Sequence, residues 1–529
     1  MRICLISREY PPDTGWGGIG AYTFQHARAL KQLGHDVVVI SLTGKDMRSD
    51  SEIKSDDTDP LFVPIYRASW YHLFAQLSTV WISLPYSLFA LKSSFALWRK
   101  FLEVHSIEPF DVVEAPEHLG EALFASLCNI CPLVVRLHTP HSKFIAEGYH
   151  NLYSTFDQHM LAMLERITML EADLLSSPSE DLASYVAADC GIDRATIRIV
   201  RNPVDCEKFV PEGRKAIESD GRITVFFAGR LEERKGVQYL IDAVPLVLQR
   251  LPKVRFVIVG ADTDTGPGKT SVLRALKQKL TQSGSGQSVN FVSHVPLDQM
   301  AAYYRSADIC VVPSLYENAP YTVLEAQACG KPVIGTSAGG SKEYILDGKT
   351  GHIVPSRDAS ALANAIIKLA ESESVRQLMG QNARALSLEC FDKGVIVAHA
   401  VSTYSLAIEA HALKSGSALY RRAPEQALSD FVTLLYNYHL NLCDLIYRHS
   451  FTFRAKTWLQ LARSRPRLCL AKGMLALLTL LDSVFRGNSL KLELIRQRLA
   501  TQVAERELER QKQFVCELLK SANLSITSD

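Results

Sequence analysis

The sequence predicts an α/β chain with two doubly wound domains, each a mostly parallel sheet covered by helices, followed by an α-helical extension. Three observations predict it. Short apolar, β-branched runs alternate with stretches of helical period, the pattern of repeated strand–helix–strand units. That alternation runs through twice, with a join near Asn202-Pro-Val-Asp205. Beyond about residue 411 the strand-like runs stop and only helical periodicity continues.

In the first half, Arg2 to Ser7, Asp36 to Leu42, Asp111 to Ala115, Leu133 to His138, Leu174 to Ser177 and Ile197 to Val200 read as strands. Helices are expected from about Gly18 to Leu33 and around Phe156 to Leu170. In the second half the strands are Thr224 to Gly229, Val254 to Gly260, Val289 to Val292, Ile309 to Val312, Pro332 to Thr336 and His352 to Pro355, with helices between. Pro320 is placed like a first-turn proline opening a helix that stops at Gly330. A helix is expected from Lys393 to Glu409. The expected domains are therefore 1–205, 206–410 and the extension 411–529.

Composition narrows the function classes. The chain has 529 residues and a formal charge of +2, which argues against a nucleic-acid partner for the whole protein. Its eleven cysteines are scattered, and it opens on a strand rather than a leader, so a reducing cytoplasm is the expected compartment. Cys128-Asn-Ile-Cys131 is the only CxxC, and no second pair or nearby histidine completes a zinc site, so it reads as packing at a helix end. Trp70 to Leu91 contains no Asp, Glu, Lys or Arg and is long enough to span a membrane. His72, Gln76 and mid-run Pro85 weaken that reading, and one crossing would separate strands of a single sheet. A buried or surface-docking helical hairpin is expected instead, with membrane contact through its aromatic residues left open.

Two glycine motifs fail on spacing. Gly15-Trp-Gly17-Gly-Ile-Gly20 has the form of a dinucleotide turn, but Arg8 to Thr14 separate it from the strand and no acid closes the second strand. Gly266-Pro-Gly-Lys-Thr270 looks like a phosphate loop, yet Thr263 stands where its first glycine belongs, so it reads as an exposed loop.

The most informative run is Ser314-Leu-Tyr-Glu317-Asn-Ala-Pro-Tyr-Thr-Val-Leu-Glu325, which places one acid in a loop and one just over a turn inside the following helix. A helix mouth favours an anion, and two carboxylates can accept from hydroxyls, so a diphosphate flanked by diols suits the pair. The alternative is a loop acid and a solvated helix acid. With Ala328-Cys-Gly-Lys-Pro-Val333 behind it, the run resembles the E-x7-E motif of retaining glycosyltransferases of the GT-B fold, family 4 in particular. Phe226-Phe-Ala-Gly-Arg230-Leu-Glu-Glu-Arg-Lys235-Gly236 upstream, and Gly339-Gly-Ser-Lys-Glu343 and Asp347-Gly-Lys-Thr-Gly351 downstream, follow the family's order. The resemblance covers roughly residues 1 to 408.

It implies two Rossmann-like domains facing a cleft, a helix over Lys393 to Glu409 that crosses back to the first domain, and a nucleoside-diphosphate sugar as donor. The donor would be held by Arg230, Lys235, Glu317, Asn318, Ala319, Tyr321, Thr322 and Glu325, with Glu325 on the ribose and Glu317 on the sugar. Arg230 and Lys235 would neutralise the departing diphosphate, so no cofactor and no divalent metal are expected. His138, at the carboxyl edge of the first sheet, matches a histidine near the reacting sugar; a structural histidine is the alternative. Gly17, Gly18 and Gly20 resemble a glycine-rich loop for a phosphate or the acceptor, with helix capping as the alternative. Pro203 stands where the family more often has glycine. The acceptor (a polysaccharide, a lipid-linked glycan or a small molecule) is not identified, and attack on the departing face would retain the anomeric configuration. An epimerase or phosphorylase of the same fold, or an inactive scaffold, are the competing classes.

Residues 411–529 carry a charge of about +8 by count, leaving about −6 for the rest. Arg454, Lys456, Arg463, Arg465, Arg467 and Lys472 surround Trp458 and several leucines. That composition fits either an anionic membrane surface at the inner face or a helical extension packed on the enzyme.

Overall fold

The computed structural model describes residues 1–11, 17–42, 52–53, 61, 63–68, 85–147, 155–266, 269–293 and 295–415. They belong to one compact unit ending at Gly416. The basic tail expected to be helical lies outside the described residues, as does the first part of the Trp70–Leu91 run.

The first sheet holds β1 (Arg2–Ile6), β2 (Asp36–Leu42), β3 (Glu52–Ile53), β4 (Ile65–Ala68), β5 (Val112–Pro116), β6 (Leu133–Arg136), β7 (Leu174–Ser177) and β8 (Ile197–Ile199). Its order is β3-β4-β2-β1-β5-β6-β7-β8, and every pairing is parallel except β3 with β4. The second holds β9 (Ile223–Ala228), β10 (Val254–Val259), β11 (Val289–Val292), β12 (Ile309–Val312), β13 (Val333–Thr336) and β14 (Gly351–Val354), in the all-parallel order β11-β10-β9-β12-β13-β14. Both are doubly wound. Their order reverses between β1 and β5 in one and between β9 and β12 in the other, and ligands bind outside the strand ends at such switch points.

The second sheet is buried on both faces because β9 alternates its side chains between them. Val225 and Phe227 pack with Leu240, Val244, Ile366 and Leu369. Phe226 packs with Tyr304, Val323 and Leu324 on the other face. This double burial is why the central stretches, Val225 to Ala228, Phe256 to Val259 and Ile309–Val312, are apolar at every position.

The helices are α1 (Gly18–Gln32), α2 (Pro85–Ile107), α3 (Leu123–Cys128), α4 (His141–Ala146), α5 (Thr155–Glu171), α6 (Glu180–Cys190), α7 (Val237–Arg250), α8 (Val272–Gln282), α9 (Met300–Ser306), α10 (Tyr321–Ala328), α11 (Ala359–Glu371), α12 (Glu373–Leu386) and α13 (Lys393–Ser415). Pro85, which interrupts the uncharged run, is the first residue of α2, where a missing N–H costs nothing. Phe95, Trp98 and Phe101 of that helix are buried, and the Asp157 carboxylate accepts the Tyr86 and Ser87 N–H groups at 2.9 and 3.0 Å. Of the Trp70–Leu91 run, the described residues 85–91 begin this helix, with Leu88, Ala90 and Leu91 buried. No described helix is long and apolar enough to cross a membrane.

The chain passes between the sheets twice, and the two passages are bonded together. Val204 N–H donates to Phe391 O at 2.9 Å and Lys393 N–H to Val204 O at 3.0 Å. Helix α13 then returns to the first sheet, where Ile396, Val397, Ala400, Tyr404 and Ala407 join Ile3, Leu5, Val112 and Val134 in one core. The helix continues to Ser415, five residues past the boundary at 410.

One polar knot fixes that packing. Tyr404 and Tyr22 donate to the two oxygens of buried Glu114, each at 2.9 Å, and His26 Nε2 lies 2.8 Å from the Tyr404 hydroxyl. Removing the hydroxyl leaves a buried carboxylate short of a donor. Tyr404→Phe is expected to destabilise the protein by about 1.5–3 kcal/mol, measured by chemical denaturation.

Candidate functional site

Two loops meet at the switch point of the second sheet. The first leaves β9, turns through Gly229 and Arg230, and makes a 3-10 turn over Glu233–Lys235 before α7. The second runs from the end of β12 through Ser314 to the start of α10. Gly236 allows the meeting. Its φ is +67°, and a Cβ there would overlap the Pro313 carbonyl oxygen, so only glycine combines this conformation with this approach. Leu315 N–H donates to Arg234 O at 2.8 Å, and Arg234 Nη1 donates to Tyr316 O at 3.2 Å.

That docking brings Lys235 onto Glu317. Lys235 Nζ donates to Glu317 Oε1, Arg234 Nη1 lies 3.3 Å from the same oxygen, and Ser314 Oγ donates to it at 3.3 Å. The Glu317 side chain is 12% exposed. Burial alone would push its carboxyl up, but the two cations prevail and hold it at about 2. The site therefore carries a buried anion flanked by two cations.

Arg230 stands apart. Its side chain is 65% exposed, and its guanidinium lies 3.3 Å from Glu232. The sequence reading paired it with Lys235, whereas Arg234 is the cation that joins Lys235 at Glu317.

Glu325 sits inside α10 and is 6% exposed, which excludes a solvated helix acid. Its Oε2 accepts the Tyr304 hydroxyl at 2.7 Å, and burial raises the carboxyl to about 7 against the opposing effect of that bond. The two acids thus take different partners, Glu317 a pair of cations and Glu325 a phenol. Thr322 is half-buried in the first turn of α10. The Tyr321 hydroxyl is enclosed and has no hydrogen-bond partner among the described residues.

Asn318 and Ala319 touch the first domain. Asn318 Nδ2 donates to His138 O and Thr139 Oγ1, while its Oδ1 accepts from the Tyr316 hydroxyl at 2.6 Å. Asn202 Nδ2 donates to Ala319 O at 3.1 Å. Both were expected as donor contacts, and both carry interdomain bonds here. Behind them Glu343 accepts the Glu180 and Asp181 N–H groups at the mouth of α6 (2.8 and 2.9 Å) and Arg201 Nη1 at 2.6 Å.

His138 lies just past β6. Its N–H donates to both oxygens of buried Glu117 (2.8 and 2.9 Å), and its ring meets Tyr22 edge-on at 5.3 Å. Burial and the Arg136 charge push its imidazole down to about 3, so it is neutral near pH 7. Burial and the neighbouring Glu165 raise Glu117 to about 8. Gly17 is the N-cap residue of α1, Gly18 is exposed and Gly20 is buried; Gly15 lies outside the described residues.

Cys128 and Cys131 are both buried, and the Cys131 thiol donates to Phe110 O at 3.4 Å, as expected of packing. Gly266 and Thr270 pair as a bridge; Pro267 and Gly268 between them lie outside the described residues. Arg234, Tyr304 and Glu117 escaped the sequence reading, and Asn202 entered it only as part of the interdomain join. Only Arg234 left a signal, by standing beside Lys235.

Comparison with known proteins gives a consistent picture. The description Glycosyltransferase Family 4 matches residues 16–208, and Glycosyl transferases group 1 matches residues 210–386. A D-inositol 3-phosphate glycosyltransferase of Corynebacterium urealyticum is 28% identical over 407 residues, covering 72% of this chain and 90% of that protein. Among solved structures, sucrose-phosphate synthase of Thermosynechococcus elongatus superposes with a TM-score of 0.61 at 22% identity, covering 77% of this chain and 99% of the other. Anabaena HepE in complex with UDP and glucose gives 0.58 at 21% identity, covering 77% and 99%.

Proposed function

Because the chain belongs to glycosyltransferase family 4 and has the GT-B fold, we propose that it moves a sugar from a nucleoside-diphosphate sugar to an acceptor hydroxyl, with retention of configuration. The observation that carries this reading is the convergence of Lys235, Arg234 and Glu317 from two loops at the switch point of the second sheet. HepE binds UDP and UDP-glucose in the same fold, which supports a nucleotide-sugar donor.

In this reading Glu325 accepts from the ribose, and the donor diphosphate takes the Lys235 ammonium. Exposed Arg230 swings in as a second cation, forking two oxygens of the leaving group. Glu317 accepts from hydroxyls of the sugar and keeps Lys235 and Arg234 in place before donor arrives. Neutral His138 offers the sugar a hydrogen bond without adding charge. Gly17, Gly18 and Gly20 line the acceptor side, and residues 1–205 and 206–392 work as the acceptor and donor domains. The contacts of Asn318, Ala319 and Glu343 with the first domain hold the cleft shut against water.

With cations of its own at the leaving group, the enzyme needs no metal there. UDP, GDP or ADP, whichever binds, is expected to bind with the same affinity with magnesium or manganese as without; a tenfold or larger dependence contradicts this part. The whole reading is tested by presenting the preferred donor with an acceptor panel and reading the product linkage by NMR. Transfer with the donor's anomeric configuration is the expected result. An inverted product contradicts retention, and conversion of donor without acceptor indicates an epimerase. A cytoplasmic site at the inner membrane face accords with the basic tail and is tested by flotation with anionic vesicles.

A further inference from the structure

We propose that His118, His141 and Glu165 form a binding site for a zinc-class divalent ion in the first domain. The three come from different elements. His118 begins the 3-10 turn that follows β5, His141 begins α4 after β6, and Glu165 lies within α5. One ligand atom from each lies within 4.8 Å of the other two.

The spacing suits coordination. Ligands held at about 2.0–2.2 Å in a tetrahedron stand roughly 3.3–3.5 Å from one another. His141 Nδ1 lies 2.6 Å from Glu165 Oε1 and His118 Nδ1 lies 3.9 Å from it, so the observed separations bracket the required one. Seating an ion opens the first and closes the second, each by less than about 1 Å.

The carboxylate is already aimed. Glu165 is fully buried, Leu119 N–H donates to its Oε1 at 2.9 Å, and His141 N–H donates to its Oε2 at 2.6 Å. Outer hydrogen bonds of this kind orient a metal ligand. A plain His141–Glu165 ion pair accounts for two of the residues but not for the third. The His118 ring makes no hydrogen bond among the described residues; its Nδ1 lies 3.9 Å from Glu165 Oε1, and its ring centroid lies 5.3 Å from that of His141. Two imidazoles and one carboxylate select zinc, cobalt or nickel over magnesium and calcium, and they leave one coordination position open. An ion there would tie together the three elements that follow β5 and β6, beside His138.

The site does not depend on the transferase reading, since donor binding and metal binding are measured separately. The test uses the full chain, stripped with chelator and titrated with cobalt(II), then with zinc(II). The expected result is one cobalt per chain with ligand-field bands, no thiolate-to-cobalt charge transfer, and displacement by zinc. Affinity is expected to fall at least about 10²-fold in His118→Ala and in His141→Ala, more than loss of an outer partner costs, with circular dichroism unchanged. The wild-type spectrum decides even if a variant fails to fold. No binding, a thiolate band from any of the eleven cysteines, or unchanged affinity in folded His118→Ala would each overturn the proposal.

Discussion

Replacing Glu317 by glutamine is expected to lower turnover by about 10²- to 10³-fold, the loss that follows when one preorganised charge contact at a reacting centre is removed. The amide keeps the shape and removes the charge. Oε1 now gathers Lys235, Arg234 and Ser314, so the variant leaves two cations without their counter-ion and weakens an acceptor for sugar hydroxyls. Lys235→Ala is expected to fall in the same range. The double variant should lose little more than either single one, because residues acting as a unit are not additive. Stability separates catalysis from folding. The folded carboxyl titrates at about 2, below its ordinary 4.5, so its stabilising contribution is present above about pH 4.5 and fades as pH falls through 2. A melting penalty in Glu317→Gln should therefore be present at pH 7 and shrink toward pH 2. Initial rates at saturating donor, with melting curves alongside, read both; full turnover in Glu317→Gln would remove the residue from the mechanism.

Glu325→Gln is expected to have two effects of opposite sign. Binding should suffer, since a carboxylate that accepts from a ribose hydroxyl contributes about 1.5–3 kcal/mol, or roughly 10- to 150-fold in affinity for the nucleoside diphosphate. Folding should gain. Burial raises this carboxyl to about 7, so the folded state binds its proton more tightly than the unfolded chain, and stability falls as pH rises from about 4.5 to 7. Removing the charge relieves a cost of up to about 3 kcal/mol above pH 7 and none below pH 4.5. Melting temperatures of the two proteins at pH 8 and pH 4.5 test the second effect, and calorimetry with nucleotide tests the first. A variant with unchanged nucleotide affinity would place Glu325 in the core alone.

Several parts of this arrangement were legible in the sequence because the physics behind them is local. Strands buried on both faces must be apolar where they cross the core, and Phe256 to Val259 and Ile309–Val312 show it. Pro320 and Gly330 bracket α10 for backbone reasons that need no tertiary knowledge. Strand β4 was missed because Arg67 interrupts a four-residue run, and its guanidinium is buried against Leu42 O at 3.3 Å. The cation partnership at Glu317 was misassigned for a different reason. Arg230, Arg234 and Lys235 are alike in type and close in sequence, and only the left-handed turn at Gly236 decides which of them faces β12. Tyr304 could not be found at all, and Asn202 was legible only as part of the interdomain join, since each acts through a partner more than twenty residues away that no spacing rule relates to it.

The interdomain bonds carry a consequence for the order of events. Asn318 is fixed on the His138 carbonyl while its neighbour Glu317 holds Lys235, so opening the cleft and releasing the donor loop disturb adjacent residues. Product release and domain opening would then be coupled through two consecutive positions.

Calorimetric titration of the wild-type protein and of Lys235→Ala with UDP, GDP and ADP tests the central claim most directly. Saturable binding of at least one of them at a single site, weakened tenfold or more by Lys235→Ala, is the predicted result. Binding of none of the three, or binding that Lys235→Ala leaves unchanged, would contradict the placement of a nucleoside-diphosphate sugar at the junction of Lys235 and Glu317.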